Sequence, residues 1–325
     1  MKNTRFSQPL LVSFVLLAGC GTHKTTTPSE LKIIGGSPAD AQLYPAVALV
    51  RPDSEGIDYV FCSGVLIAEK LVLTAAHCSW DANDRVYAAD TVGVMVGDST
   101  PEKHLDKRLH VLGITVHPSF DRSKMTKDLD GSIRLNEAND IAVWELATPA
   151  TGAQTAEVLA ARDLDSVFVD ETLVTIMGFG QRSTWESPWT PHEFAVAETI
   201  YRSTYSQRVR NVVSSNGGIP VKRSESSNFP GRNQTEFYAG AAKYPDTCKG
   251  DSGGPVFAKT PQGKLLLIGI TSRGSGTCEV GGVYTLVPAF LPWLESVAGT
   301  VNQGEYSVGS LKLLRVTSGL GPPGS

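Results

Sequence analysis

The chain has 325 residues, 41% of them hydrophobic and 19% charged, with a formal net charge of −4. That is globular composition, long enough for one large domain or two smaller ones, and it lacks the clustered basic face that a nucleic-acid partner requires. The 32 glycines and 19 prolines punctuate short apolar runs, as in an all-β chain.

In chain order, "MKNTR" supplies Lys2 and Arg5, and the apolar run "PLLVSFVLLAG" (9–19) is too short to span a bilayer as a mature helix. Residues 1–19 are therefore read as a signal peptide. The run ends in "LAGC", which resembles the lipobox of bacterial lipoproteins and implies cleavage before Cys20 and acylation of its thiol. An ordinary secretory signal cleaved at nearby small residues is the alternative. Exported chains usually pair their cysteines, and this one has five: Cys20, Cys62, Cys78, Cys248 and Cys278. With lipid on Cys20, four remain for two bridges. Residues 20–32, "CGTHKTTTPSELK", are polar and aperiodic, the pattern of a tether or propeptide.

From Ile33 the texture changes. "YPAVALV", "YVFCSGVLIA", "LVLTAAHC", "TVGVMVGD", "LHVLGITVH" and "IAVWEL" are short β-rich runs, and a connector over 147–166 follows. "TLVTIMGFG", "FAVAETIYRSTY", "KLLLIGITSR" and "GGVYTLV" complete the set. Strands without βα alternation predict antiparallel barrels or sandwiches. "AFLPWLESVAG" (289–299) reads as a closing helix, 300–325 as a tail, and 121–138 and 204–236 as long surface loops.

Three places carry candidate chemistry. "DTCKGDSGGP" (246–255) surrounds Ser252 with small or rigid residues and sets Asp246 and Asp251 near it. "LTAAHCSW" places His77 at the end of an apolar run, and "NDIAVWEL" places Asp140 at the entry to a buried strand. Each alone has a plain structural reading: Gly-Asp-Ser-Gly-Gly-Pro is ordinary turn composition, and a lone His or Asp is usually structural.

Together, "IIGG" (33–36), "TAAHC" (74–78), "NDIAV" (139–143) and "CKGDSGGP" (248–255) resemble, in order, the four landmark motifs of the trypsin/chymotrypsin family of serine endopeptidases. The resemblance runs from residue 33 to about 297. It implies two antiparallel six-stranded β-barrels, about 44–146 and 167–288, closed by the 289–299 helix within a peptidase domain over 33–299. His77, Asp140 and Ser252 would form a catalytic triad, and the N–H groups of Gly250 and Ser252 an oxyanion hole. Cleavage between Lys32 and Ile33 would create an amine that pairs with Asp251, so the uncut chain would be a zymogen. Asp246 would form the floor of a specificity pocket for Arg or Lys, with Ser272, Gly274 and Gly282 at its walls. Bridges Cys62–Cys78 and Cys248–Cys278 would pin the histidine loop and the pocket walls. The expected partners are protein or peptide substrates and protease inhibitors, with no metal, no cofactor and no nucleic acid. The expected state is a monomer, exported and touching the membrane only through lipid on Cys20 until the activating cut releases it.

The sequence departs from the family pattern at several points. Arg273 stands where the family usually has Trp, and a guanidinium at the pocket mouth is expected to favour acidic substrate residues. The loop between Gly274 and Gly282 is short, the 121–138 loop is long, and Tyr238 replaces a cysteine. The competing function is a catalytically silent relative used for binding or adhesion; such relatives usually lose a triad residue, and this chain has all three.

Overall fold

The structure, a computed structural model, describes residues 33–301 except 82, 126–137, 165–167, 169–171, 183–191, 202–234, 241–242, 275–277 and 279–280. The signal peptide, Cys20, Lys32 and the tail beyond residue 301 lie outside the described residues.

A two-residue strand, β1 (Ser37–Pro38), precedes β2 (Ala46–Pro52), β3 (Asp58–Ala68), β4 (Leu71–Thr74), β5 (Gly93–Val96), β6 (Leu109–Val116) and β7 (Ala142–Leu146). Strands β2 to β7 close an antiparallel barrel in the order β2-β3-β4-β7-β6-β5. The alternation within "AVALVRP" explains why β2 is buried on both faces. Ala46, Ala48 and Val50 join one apolar cluster, while Val47 and Leu49 join another with Leu66, Val72 and Trp144. The Trp144 indole N–H, fully buried, donates to Ser79 Oγ at 2.8 Å.

The second half forms β8 (Leu173–Gly178), β9 (Ala195–Ile200), β10 (Glu236–Ala239), β11 (Pro255–Lys259), β12 (Leu265–Gly274) and β13 (Gly282–Leu286). Their order is β9-β8-β11-β12-β13-β10, with β1 added outside β9. The two-residue β1 brings this second sheet to seven strands, and the closed first barrel, the second sheet and the closing helix are consistent with the expected all-β fold. Among the described residues, a bridge from Tyr201, just after β9, to Ala239 of β10 brings these two strands together, and the Gly240 N–H donates to Ile200 O at 2.7 Å. Residue 236, expected in a surface loop, instead opens β10 opposite Thr285 and is 1% exposed.

The first of the two clusters spans both halves, since Met177, Phe179, Phe257 and Ile270 pack into it alongside Val65, Leu73 and Ile141. Onto it folds α1 (Leu291–Val301), through Leu291, Leu294 and Ala298 at helical spacing. Its start lies two residues beyond the expected 289, because Val287–Phe290 form a 3-10 turn first. Pro292 then sits in the first turn, where no intrahelical N–H is needed. The ring of His117, just after β6, packs edge-on against Phe290 and Trp293, each 5.0 Å away. Cys62 bonds Cys78 and Cys248 bonds Cys278, the pairing expected. Loops of 16 and 30 residues make each bridge worth about 3–4 kcal/mol in chain-entropy terms.

Candidate active site

His77 lies in the 3-10 turn Ala76–Ser79, which the Cys62–Cys78 bridge ties to β3. Its Nδ1 is 2.8 Å from Asp140 Oδ2, and its backbone N–H donates to Asp140 Oδ1 at 2.9 Å. Asp140 is fully buried, and its Oδ2 also accepts the Ser272 hydroxyl at 2.6 Å. Burial pushes this carboxyl up, but the facing His77 imidazole and these hydrogen bonds outweigh it and hold the acid below its ordinary value. An ionised Asp140 only accepts, so Nδ1 carries the proton and Nε2, on a side chain that is 24% exposed, is left to accept one.

Ser252 is held at the same place from both halves. Ser63 of β3 donates its N–H to Ser252 O at 2.8 Å and its hydroxyl to Gly250 O at 2.9 Å. From β12, Thr271 O accepts the Gly253 N–H at 2.7 Å. Gly250 has φ +96°, a left-handed conformation, and a Cβ there would meet Gly180 Cα at 2.9 Å and the His192 ring at 3.3 Å. Among the described residues no hydrogen bond joins Ser252 Oγ to His77 Nε2, and the N–H groups of Gly250 and Ser252 have no protein acceptor. Catalytic hydrogen bonds of the first kind commonly tighten only around substrate.

Asp251, next to the serine, is fully buried and accepts the Gly180 and Cys248 N–H groups, each at 2.8 Å. Burial still pushes its carboxyl to about 7; those two donors and nearby His192 pull down, while Asp246 pushes further up. The close approach explains "MGFG", because a Cβ on Gly180 would stand 2.5 Å from the Asp251 carboxyl carbon. Ile33, whose amine the resemblance would deliver to Asp251, is fully buried in the second sheet's cluster with Phe237 and Tyr284.

Asp246 is 1% exposed, bridged to Ile34, and its carboxylate oxygens accept the N–H groups of Thr247 and Gly281, each at 2.9 Å. Gly240 is its close neighbour, and Gly274 and Gly282 face each other across β12 and β13. Ser272, also expected as a wall residue, gives its hydroxyl to Asp140.

Arg273 corrects one expectation. Its side chain, 7% exposed, turns inward and forks onto Glu236 with Nη1–Oε1 and Nη2–Oε2 both 2.8 Å. A buried carboxylate draws a guanidinium more strongly than water at a cleft mouth does. Sequence reasoning missed Glu236 altogether, along with the pair of His192 and Glu102. In that pair, His192 Nδ1 lies 2.8 Å from Glu102 Oε1, and the His192 N–H donates to Oε2 at 3.0 Å. The alternation of "EFYAG" was the only signal available for Glu236.

A family model described as Trypsin matches residues 33–294. Similar proteins include urokinase-type plasminogen activator of Gallus gallus, 28% identical over 278 residues, 82% of this chain and 57% of the relative. Serine protease 56 of Mus musculus is 30% identical over 274 residues, 83% of this chain and 39% of the relative. Trypsin of Saccharopolyspora erythraea is 28% identical over 265 residues, 79% of this chain and 94% of the relative. The chain thus spans somewhat over half of the first, about two fifths of the second and nearly all of the third. With a closed barrel, a second antiparallel sheet, a closing helix and a family match over most of its length, the chain belongs to the trypsin family.

Proposed function

We propose that the protein is a serine endopeptidase that cuts after Arg or Lys, with 33–299 as its peptidase domain and 300–325 as a tail. The observation that carries this reading is the 2.8 Å contact between His77 Nδ1 and a fully buried Asp140, beside the loop of Ser252. In the reaction, Ser252 Oγ attacks the scissile carbonyl carbon while His77 Nε2 takes its proton. Asp140 stabilises the resulting imidazolium without accepting the proton. The oxyanion that forms receives the N–H groups of Gly250 and Ser252, and removing one such donor typically costs ~100- to 1,000-fold in rate. His77 then protonates the leaving amine, and water repeats the sequence to free Ser252.

Asp246 supports the choice of basic substrates: a buried carboxylate ringed by glycines suits a long side chain ending in a cation. The chain would be made as a zymogen. Burial leaves the Asp251 carboxyl raised to about 7 despite its hydrogen-bond donors and His192, and a cut between Lys32 and Ile33 would supply an α-amino group to pair with its ionised form. The precursor would be exported and held by lipid on Cys20, with residues 20–32 as its only link to the envelope, so the activating cut would also release the enzyme.

The test uses the cut protein with chromogenic Arg, Phe and Ala substrates and then an organophosphate. Preferred Arg hydrolysis with phosphorylation of Ser252, read by mass spectrometry, is expected. Failure to label Ser252 would remove the catalytic reading, and preferred cleavage after Phe would remove the role of Asp246.

A further inference from the structure

The turn that delivers Asp140 is gripped by the second sheet. Thr285 of β13 donates its hydroxyl to Asp140 O at 2.9 Å, and its cross-strand neighbour Glu236 accepts the Ala138 N–H on Oε1 at 2.9 Å. Between those two contacts sits Asn139, in a left-handed conformation at φ +52°. Glu236 also takes both Nη groups of Arg273, and Arg273 Nη1 lies 3.3 Å from Ser272 Oγ. Arg only donates. Ser272 Oγ therefore accepts from Arg273, and its single proton is left for Asp140 Oδ2, 2.6 Å away. The chain of donors runs in one direction, from guanidinium to hydroxyl to carboxylate, and successive polar contacts in a buried site reinforce one another.

We propose that Glu236 and Arg273 are positioning residues for Asp140: Arg273 orients the Ser272 hydroxyl, and Glu236 fixes both Arg273 and the entry to the Asp140 turn. This rests on the reading of His77, Asp140 and Ser252 as the catalytic triad. Neither residue touches the reacting atoms. The plain alternative is a buried ion pair that only fills the core, and such a pair can be exchanged for apolar side chains with little loss of stability.

The experiment compares the activated full-length enzyme with Arg273→Lys and with the double variant Glu236→Leu/Arg273→Met, measuring melting temperature, kcat and KM on one Arg substrate. The double variant leaves no unpaired buried charge, but the Ala138 N–H loses its acceptor, so it should stay folded and melt a few degrees below the parent. Its kcat should fall at least ~10-fold while KM changes less than ~3-fold, because a small misplacement of the catalytic base costs rate and not binding. Arg273→Lys keeps a donor for Ser272 Oγ and should hold kcat within ~3-fold of the parent. A folded double variant with parental kcat overturns the proposal, as does a folded Arg273→Lys enzyme that loses ~10-fold or more. If the double variant does not fold, Glu236→Gln/Arg273→Met, which keeps an amide oxygen for the Ala138 N–H, replaces it under the same criteria. Asp140→Asn in the same assay separates the two readings. Parental activity there removes the triad itself, whereas an inactive Asp140→Asn beside a fully active double variant removes only the positioning role.

Discussion

In the proposed triad, His77 would serve as a base only while Asp140 keeps the proton on Nδ1. Asp140→Asn replaces the acceptor with an amide that favours the wrong tautomer, and kcat should drop on the order of 10,000-fold with the fold intact. Ser252→Ala should abolish turnover without affecting melting, since its hydroxyl has no packing role; turnover within tenfold of the parent would refute the assignment. Asp246→Ser should lower kcat/KM for Arg substrates by orders of magnitude, because a buried substrate cation would lose its partner. Unchanged preference for Arg in a substrate panel would show that the pocket lies elsewhere. Arg273, turned onto Glu236, gives no reason to expect an acidic preference in neighbouring subsites; a peptide-library profile free of salt-sensitive acidic enrichment is the outcome to look for.

At the scale of elements, the Asp251 loop makes the uncut chain sensitive to pH. The folded carboxyl holds its proton up to about 7, against an ordinary value of 3.8. As pH rises from about 4, the unfolded chain ionises first, so folding stability is present at acid pH and is lost progressively towards pH 7. A shift of three units corresponds to about 4 kcal/mol. An α-amino group created at Ile33 would favour the ionised acid and remove the loss. Melting curves of the Ser252→Ala protein, uncut and cut, from pH 4 to 8 should therefore diverge as pH rises. Parallel curves would mean that the new amine does not reach Asp251. A second contact between elements is the Glu102–His192 pair, which joins the loop after β5 to the segment entering β9. Burial pushes the Glu102 carboxyl up, but the His192 ring and N–H outweigh it and bring it below its ordinary value. That contribution to stability is present above the usual Glu range and is lost as pH falls. Glu102→Gln should destabilise the fold at neutral pH and much less in acid.

Across the whole molecule, the proposed catalysis would depend on two sheets meeting along one shared cluster. His77 follows β4 and Asp140 precedes β7 of the closed barrel, while Ser252 precedes β11 of the second sheet. The proposed activation adds a further link, between the covalent state of the N-terminus and the oxyanion loop. Lys32→Gln should accumulate as an inactive, membrane-bound precursor, while the parent yields soluble, active enzyme beginning at Ile33. N-terminal sequencing of fractionated cells tests both halves. Active enzyme starting at Ile33 but staying in the membrane pellet would defeat the release half.

Sequence alone determined the all-β class and the closing helix to within two residues, through apolar alternation and periodicity written locally. The two bridges and the candidate triad came from the resemblance of its motifs to a known family. The buried polar pairs that sequence reasoning missed are written at a distance. Glu236 meets Arg273 across 37 residues of chain, and Glu102 meets His192 across 90. Read along the chain, Arg273 is a cation at a cleft mouth and Glu236 the end of a polar loop. Only the tertiary structure decided otherwise, because pairing β10 with β13 buries a carboxylate, and a buried carboxylate must recruit the nearest cation or give up its charge.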